Sequence, residues 1–347
     1  MASINKLKTK ATDPTDAVFG IDLDNKVFKI ALSEGPHWIV AGQSGSGKSV
    51  YVHNLLISMM SHALPEELNL MMIDPKQVEF TKYTGLPHVV VDPVTDMGDA
   101  YGILAYLVEV MEDRYNKLKN IGVSKISEYN EWVQDIDGNI ARMIERNEKD
   151  RARDPSVQPI SEEFIEEMRN FESMPYLVCV IDEYADMVMQ DETNENEDLI
   201  VRLAQKARAA GITLLIATQR PSADIISPTI KSNVPARIGL KTTDATNSQI
   251  VIDETGLESL NGMGDSIIKK TDGTMTRVQG VYITNPEMDN IFDYLKENYP
   301  PAKKIDYKQF VIDRGKAEWV ADYDDDVPYT ERHIQKPKRK SAFGGFG

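Results

Sequence analysis

The chain is poor in cysteine: Cys179 is the only one among 347 residues. A single thiol excludes an internal disulfide and any thiolate cage around a metal. Its place inside the apolar run 177–181 predicts a buried core position. Long hydrophobic runs are also missing, since none approaches the roughly 18 residues of a membrane span. Met1 to Lys10 is basic and polar with no apolar stretch behind it, so no secretory signal is read there. Positive charge is scarce overall, with 39 Lys and Arg against 55 Asp and Glu and a formal net charge of −16. Taken alone, that balance argues against nucleic acid as a partner, because affinity for a polyanion is built from cationic contacts. The expectation from these absences is a cytoplasmic protein without membrane insertion.

What is present is a pattern at residues 42–49. Gly42, Gln43, Ser44, Gly45, Ser46, Gly47, Lys48 and Ser49 fit G-x-x-x-x-G-K-[ST], a phosphate-binding loop. Glycines let backbone N–H groups turn inward around phosphate oxygens, and the helix that follows presents its positive end to an anion. Lys48 is placed to reach the β- and γ-phosphates, and the Ser49 hydroxyl to ligate Mg²⁺. An apolar run, 37–41, comes before the loop and a helical apolar stretch, 50–60, after it, which is the strand–loop–helix setting the motif needs.

In chain order, residues 1–20 read as a loose arm, and 18–30 as a hairpin around Asp24-Asn25. Strands are expected at 70–74 and 88–91. Asp96 caps a helix whose apolar residues, from Met97 to Leu118, recur at spacings of three and four. Residues 119–172 form a charged, mostly helical insertion, broken at Asp137-Gly138 and Asp154-Pro155, with an apolar stripe of Phe164, Ile165, Met168 and Phe171. A strand at 176–181, a helix at 197–210 stopped by Gly211, and strands at 212–218 and 236–241 follow. A hairpin over 265–279, turning at Asp272-Gly273, and a helix over 286–298 end the ordered part. Residues 301–347 read as a low-complexity tail. Alternating strands and helices predict an α/β domain over 21–300, with a mainly parallel sheet covered by helices on both faces and a small C-terminal hairpin and helix.

The apolar run 177–181 ends in Asp182-Glu183, the second element a phosphate-loop ATPase requires. A buried strand would carry Asp182 to the metal side of the loop, and Glu183 would orient and deprotonate the attacking water. Asp186, one turn on, is a supporting residue at most. Gln219, at the tip of the 212–218 strand, suits a sensor of the γ-phosphate. The charge distribution then reverses the first impression: between Arg202 and Lys241 there are seven cations and one anion, Asp224. Such a local excess suits a nucleic-acid surface, or an arginine that completes a neighbouring subunit's site.

At this point the sequence resembles the FtsK/SpoIIIE family of DNA translocases, RecA-like ring ATPases. The resemblance runs from about Phe19 to Leu295, carried by VAGQSGSGKSV, MMIDPK, LPHVVVDPVTDM, VIDEYADM, LAQKARAAGITLLIATQRPSADIISPTIKSNVPARI and GMGDSI. It implies a homo-hexamer that uses ATP and Mg²⁺ to thread double-stranded DNA. It also implies roles for matching residues: Lys48 and Ser49 on phosphate and Mg²⁺, Asp182 supporting the metal, and Glu183 as base. Arg208 falls where the trans-acting arginine lies, and Arg220 and Lys231 fall on loops that touch DNA. With about forty residues before the phosphate loop, and nothing after Pro301 that suits a winged helix, the expectation is a bare motor of phage or mobile-element type. The alternatives are a conjugation-coupling or genome-packaging motor and, in another class, a protein-translocating ATPase. A small GTPase is disfavoured because no N-K-x-D signature follows the loop.

Overall fold

The computed structural model describes residues 13–191 and 194–309. Its centre is β3 (His37–Ala41), five buried residues in a row. Side chains on a strand alternate between faces, and here both faces are covered. Trp38 and Val40 enter one hydrophobic cluster, Ile39 and Ala41 the other.

Around β3 lie β4 (Leu68–Ile73), β5 (Tyr176–Ile181), β6 (Ile212–Thr218) and β7 (Ala236–Leu240). Together these five form a parallel core in the order β7-β3-β6-β5-β4. Four antiparallel strands extend it: β1 (Asp16–Asp22), β2 (Val27–Ala31), β8 (Asp265–Lys269) and β9 (Met275–Gln279). The full order is β2-β1-β9-β8-β7-β3-β6-β5-β4. The C-terminal hairpin, expected as an appendage, is therefore built into the main sheet, and β9 pairs with β1 from the other end of the chain.

On one face pack α1 (Lys48–Met60), the insertion helices α3 (Ile126–Val133), α4 (Ile136–Arg153) and α5 (Glu162–Arg169), and the last helix, α10 (Asn285–Asn298). The other face carries α2 (Met97–Ile121), α6 (Tyr184–Gln190), α7 (Glu195–Lys206), α8 (Pro228–Asn233) and α9 (Ala245–Ile252). Asp96 caps α2 by accepting from Gly98 N at 2.8 Å. The stripe read in the insertion packs down: Met168 and Phe171 are buried, and Phe164 and Ile165 lie against the same cluster.

Several local expectations are corrected. β1 starts at Asp16, inside the segment expected to be a loose arm, because Ala17 and Phe19 are fully buried. Residues 88–91 make no strand; Val89 and Val94 form only isolated bridges to β4, in a stretch where Pro87 and Pro93 deny ladder donors. Asp137-Gly138 does not break the insertion. It lies in the first turn of α4, where the Asp135 side chain accepts from Gly138 N, so the break falls at 134–135. The helix expected over 197–210 stops at Lys206 and is followed by a turn up to Gly211, whose φ is +68°. The 301–347 tail lies outside the described residues beyond Gln309. Cys179 is fully buried, and burial pushes its thiol up to about 12.

Candidate nucleotide site

In parallel sheets the loops beyond the carboxyl ends of the strands collect on one edge, and that edge is where ligands bind. Here β3 delivers residues 42–47, β5 delivers Asp182 and Glu183, β6 delivers Gln219, and β4 delivers residues 74–80. Gly45 (φ +77°) and Gly47 (φ +96°) take left-handed backbone that other residues adopt rarely. A Cβ on Gly47 would come within 2.6 Å of Gly264 N. The loop is tied to its surroundings by Gly42 N to Thr218 O (3.3 Å) and Gln43 N to Lys241 O (2.8 Å). Its Ser46 Oγ is buried without a partner.

Lys48 and Asp182 are 134 residues apart yet share a buried ion pair. Lys48 Nζ donates to Asp182 O at 2.6 Å and to Asp182 Oδ1 at 2.9 Å. Burial raises the Asp182 carboxyl above its ordinary value, the charges of Glu79 and Asp74 add to this, and Lys48 opposes it. Glu183 is 1% exposed. It accepts from Thr218 Oγ1 (2.7 Å) and Gln219 N (3.1 Å) at Oε1, and Lys76 Nζ lies 3.4 Å from Oε2. Lys76 Nζ is also 3.4 Å from Asp186 Oδ2. Burial works against the Lys76 charge, but Glu183 and Asp186 together hold its ammonium above the ordinary value.

On the other side of the loop, Ser49 Oγ donates to Glu79 Oε1 at 2.8 Å. His53 Nε2 faces Glu79 Oε2 at 3.3 Å, and His53 Nδ1 faces the Tyr83 hydroxyl at 2.9 Å. The hydrogen bond to His53 holds the Glu79 carboxyl below the usual range. Asp74 Oδ2 accepts from Glu79 N and Phe80 N, both at 3.0 Å, and so shapes this loop, while its Oδ1 is buried without a partner. A hydroxyl beside carboxylates is a hard-oxygen donor set that suits Mg²⁺, and the glycine cradle suits phosphate. The residues present fit both.

Nothing in the sequence pattern by itself singles out Lys76, Glu79, His53, Asp74 or Thr218. The available signal was MMIDPK: a strand ending in charged residues, whose place on the common edge follows once β4 is known to be parallel to β5.

The basic segment does not form one patch. Arg237 is 2% exposed and donates to Val251 O (3.0 Å) and Lys231 O (2.8 Å), a structural role. Arg202 pairs with Glu112 at 3.0 Å. Lys231 pairs with Asp253 at 2.6 Å, and Lys269 holds the same carboxylate at 2.6 Å. Arg220 follows β6 on the nucleotide edge, where it lines a cleft with Gln43, Gln219 and Asn247. Lys231, by contrast, precedes β7 and lies toward the opposite edge.

Arg208 is exposed in the turn before β6. The seven residues of β6 put about 20 Å between that turn and the nucleotide edge. The turn itself is held firmly: Arg114 Nη1 donates to Ala210 O (2.6 Å), Tyr115 OH to Lys206 O (2.5 Å) and Ile126 N to Ala209 O (2.9 Å). No helix of the described residues is long and apolar enough to cross a membrane.

The FtsK/SpoIIIE family model matches residues 4–223. DNA translocase FtsK of Corynebacterium glutamicum is 38% identical over 301 residues, covering 83% of this chain and 30% of that protein. DNA translocase FtsK of Rickettsia bellii is 39% identical over 284 residues, covering 82% and 37%. The chain thus spans about a third of the length of these relatives. Among solved structures, the pCW3 conjugation coupling protein TcpA with ATPγS superposes with a TM-score of 0.62 at 25% identity, over 82% of this chain and 71% of that one. The type VII secretion ATPase EccC of Thermomonospora curvata gives 0.66 at 21%, over 85% and 32%. The second likeness shows the fold alone.

Proposed function

Because the chain belongs to the FtsK/SpoIIIE family, we propose that it hydrolyses ATP with Mg²⁺ and moves double-stranded DNA as a homo-hexameric ring. One observation carries this reading: Lys48, Asp182 and Glu183 meet on one sheet edge, while Arg208 stands exposed about 20 Å away. Such an arginine cannot serve its own site and suits a neighbour's.

On this reading the backbone N–H groups of residues 44–49 bind the phosphates, and Lys48 turns from Asp182 to the β- and γ-oxygens. Ser49 and Asp182 would hold Mg²⁺ once released from Glu79 and Lys48, and the ion would supply charge neutralisation on the phosphates. Glu183 orients the attacking water and takes its proton. Thr218 and the Gln219 N–H fix the carboxylate in place, leaving the Gln219 side chain to face the γ-phosphate. Arg208 stabilises the charge of the adjacent subunit's transition state. Arg220 contacts DNA phosphates, and Lys231 does so once it exchanges Asp253 for one. Phosphate contacts carry little sequence information, which suits a motor that must pass over any sequence.

The first test is ATP turnover with and without long duplex DNA at low salt. Turnover is expected to rise with DNA and to vanish in Lys48→Ala; a rate indifferent to DNA would overturn the translocase reading. Single-stranded DNA in the same assay separates this from a motor that prefers one strand.

Lys76→Met should lower kcat by up to about a hundredfold, the scale of a misplaced catalytic group, with ATP affinity nearly unchanged. Equal loss of affinity would mean that Lys76 binds nucleotide rather than holding Glu183.

A further inference from the structure

Met263 is apolar, 87% exposed, and has a φ of +53°. A bulky side chain in left-handed backbone is disfavoured and survives only where the surroundings impose it. Here they do. Gly264 N donates to Ser46 O at 2.9 Å, and Gly280 N to Gly264 O at 2.8 Å. The Gln279 side-chain amide donates to Met263 O at 3.0 Å and to Gly280 O at 3.2 Å. A Cβ on Gly262 would lie 3.9 Å from Gly45 O. The loop 262–264 is thus locked against residues 45–47 of the phosphate loop, yet the side chain it displays stands in solvent.

We propose that Met263 is the platform on which the base of the bound nucleotide rests. This rests on the nucleotide reading of residues 42–49. A triphosphate seated there is enclosed by Asp182, Glu183 and Gln219 at its γ end, so the base must leave on another side. The 262–264 loop borders that cradle along residues 45–47. A flexible, polarizable thioether makes favourable contact with a flat aromatic ring, whereas the backbone groups around it are already paired with one another. Contact with a ring face discriminates weakly between bases, so any selection among them must come from edge contacts elsewhere.

The test compares two probes on wild type and on Met263→Gly, a residue that suits the left-handed backbone and so spares the fold. ATP has the base; inorganic tripolyphosphate has only the phosphates. By calorimetry with Mg²⁺, Met263→Gly is expected to weaken ATP about fivefold, leave tripolyphosphate unchanged, and show no loss of melting temperature. Equal weakening of both probes would mean that the side chain shapes the phosphate loop, and no weakening of either would mean that the base lies elsewhere. Each overturns the proposal. Failure of wild type to bind either probe would sink the nucleotide reading itself, and this inference with it.

Discussion

Glu183→Gln is expected to retain ATP while losing turnover by about 10²–10⁴-fold, the range that a positioned general base supplies. The substitution keeps the side chain's shape. The Gln oxygen can still accept from Thr218 Oγ1 and Gln219 N, which hold Glu183 Oε1 at 2.7 and 3.1 Å. What disappears is the group that takes a proton from water. The check is a single-turnover assay beside an ATP-binding measurement. A variant that hydrolyses ATP within a few-fold of wild type would remove Glu183 from the role of base and direct attention to Asp186.

Arg208→Ala should lower turnover by about 10³-fold or more, as expected when a transition-state arginine is removed, again with ATP binding intact. The decisive measurement is a mixture. Lys48→Ala subunits lack a working phosphate loop but keep Arg208; Arg208→Ala subunits have the reverse defect. If the two residues meet across an interface, mixing the inactive variants restores part of the activity. No recovery at any ratio, in mixtures shown to co-assemble, would count against the trans role. Stability gives a separate check. Because the turn is held through Arg114, Tyr115 and Ile126, and Arg208 is exposed, its truncation should cost within about 0.5 kcal/mol of folding stability.

The candidate site on the carboxyl edge of the sheet is legible because its pattern is written in adjacent residues. G-Q-S-G-S-G-K-S declares phosphate, and an apolar strand ending in Asp-Glu declares the metal side. Parallel pairing then places them together without further information. Lys76 and Glu79 were harder to see, since each is an ordinary charged residue in a loop. Their roles come from Asp74 folding that loop back through Glu79 N and Phe80 N. Residues 88–91 have a strand's apolar content but form only an isolated bridge to β4, between prolines that lack ladder donors. The basic segment is a different case. Charge counted along sequence ignores where the strands send it, and Arg237 points into the core while Arg220 and Lys231 go toward opposite edges. The register that joins β9 to β1 is set by residues more than 250 apart and has no local signature.

Under the proposed function, the Lys48–Asp182 contact makes nucleotide capture an exchange of partners rather than a simple addition. Lys48 gives two N–H bonds to Asp182, so drawing it onto phosphate oxygens loosens its hold on a buried carboxylate that is costly to leave unpaired. Asp182 therefore needs a new cation when Lys48 leaves. Free nucleotide without a divalent ion strands Asp182, and a divalent ion without nucleotide meets Lys48 still in place. On that proposal, cooperativity between the anion and its counter-ion is contained in a single pair of side chains, before any second subunit or DNA takes part.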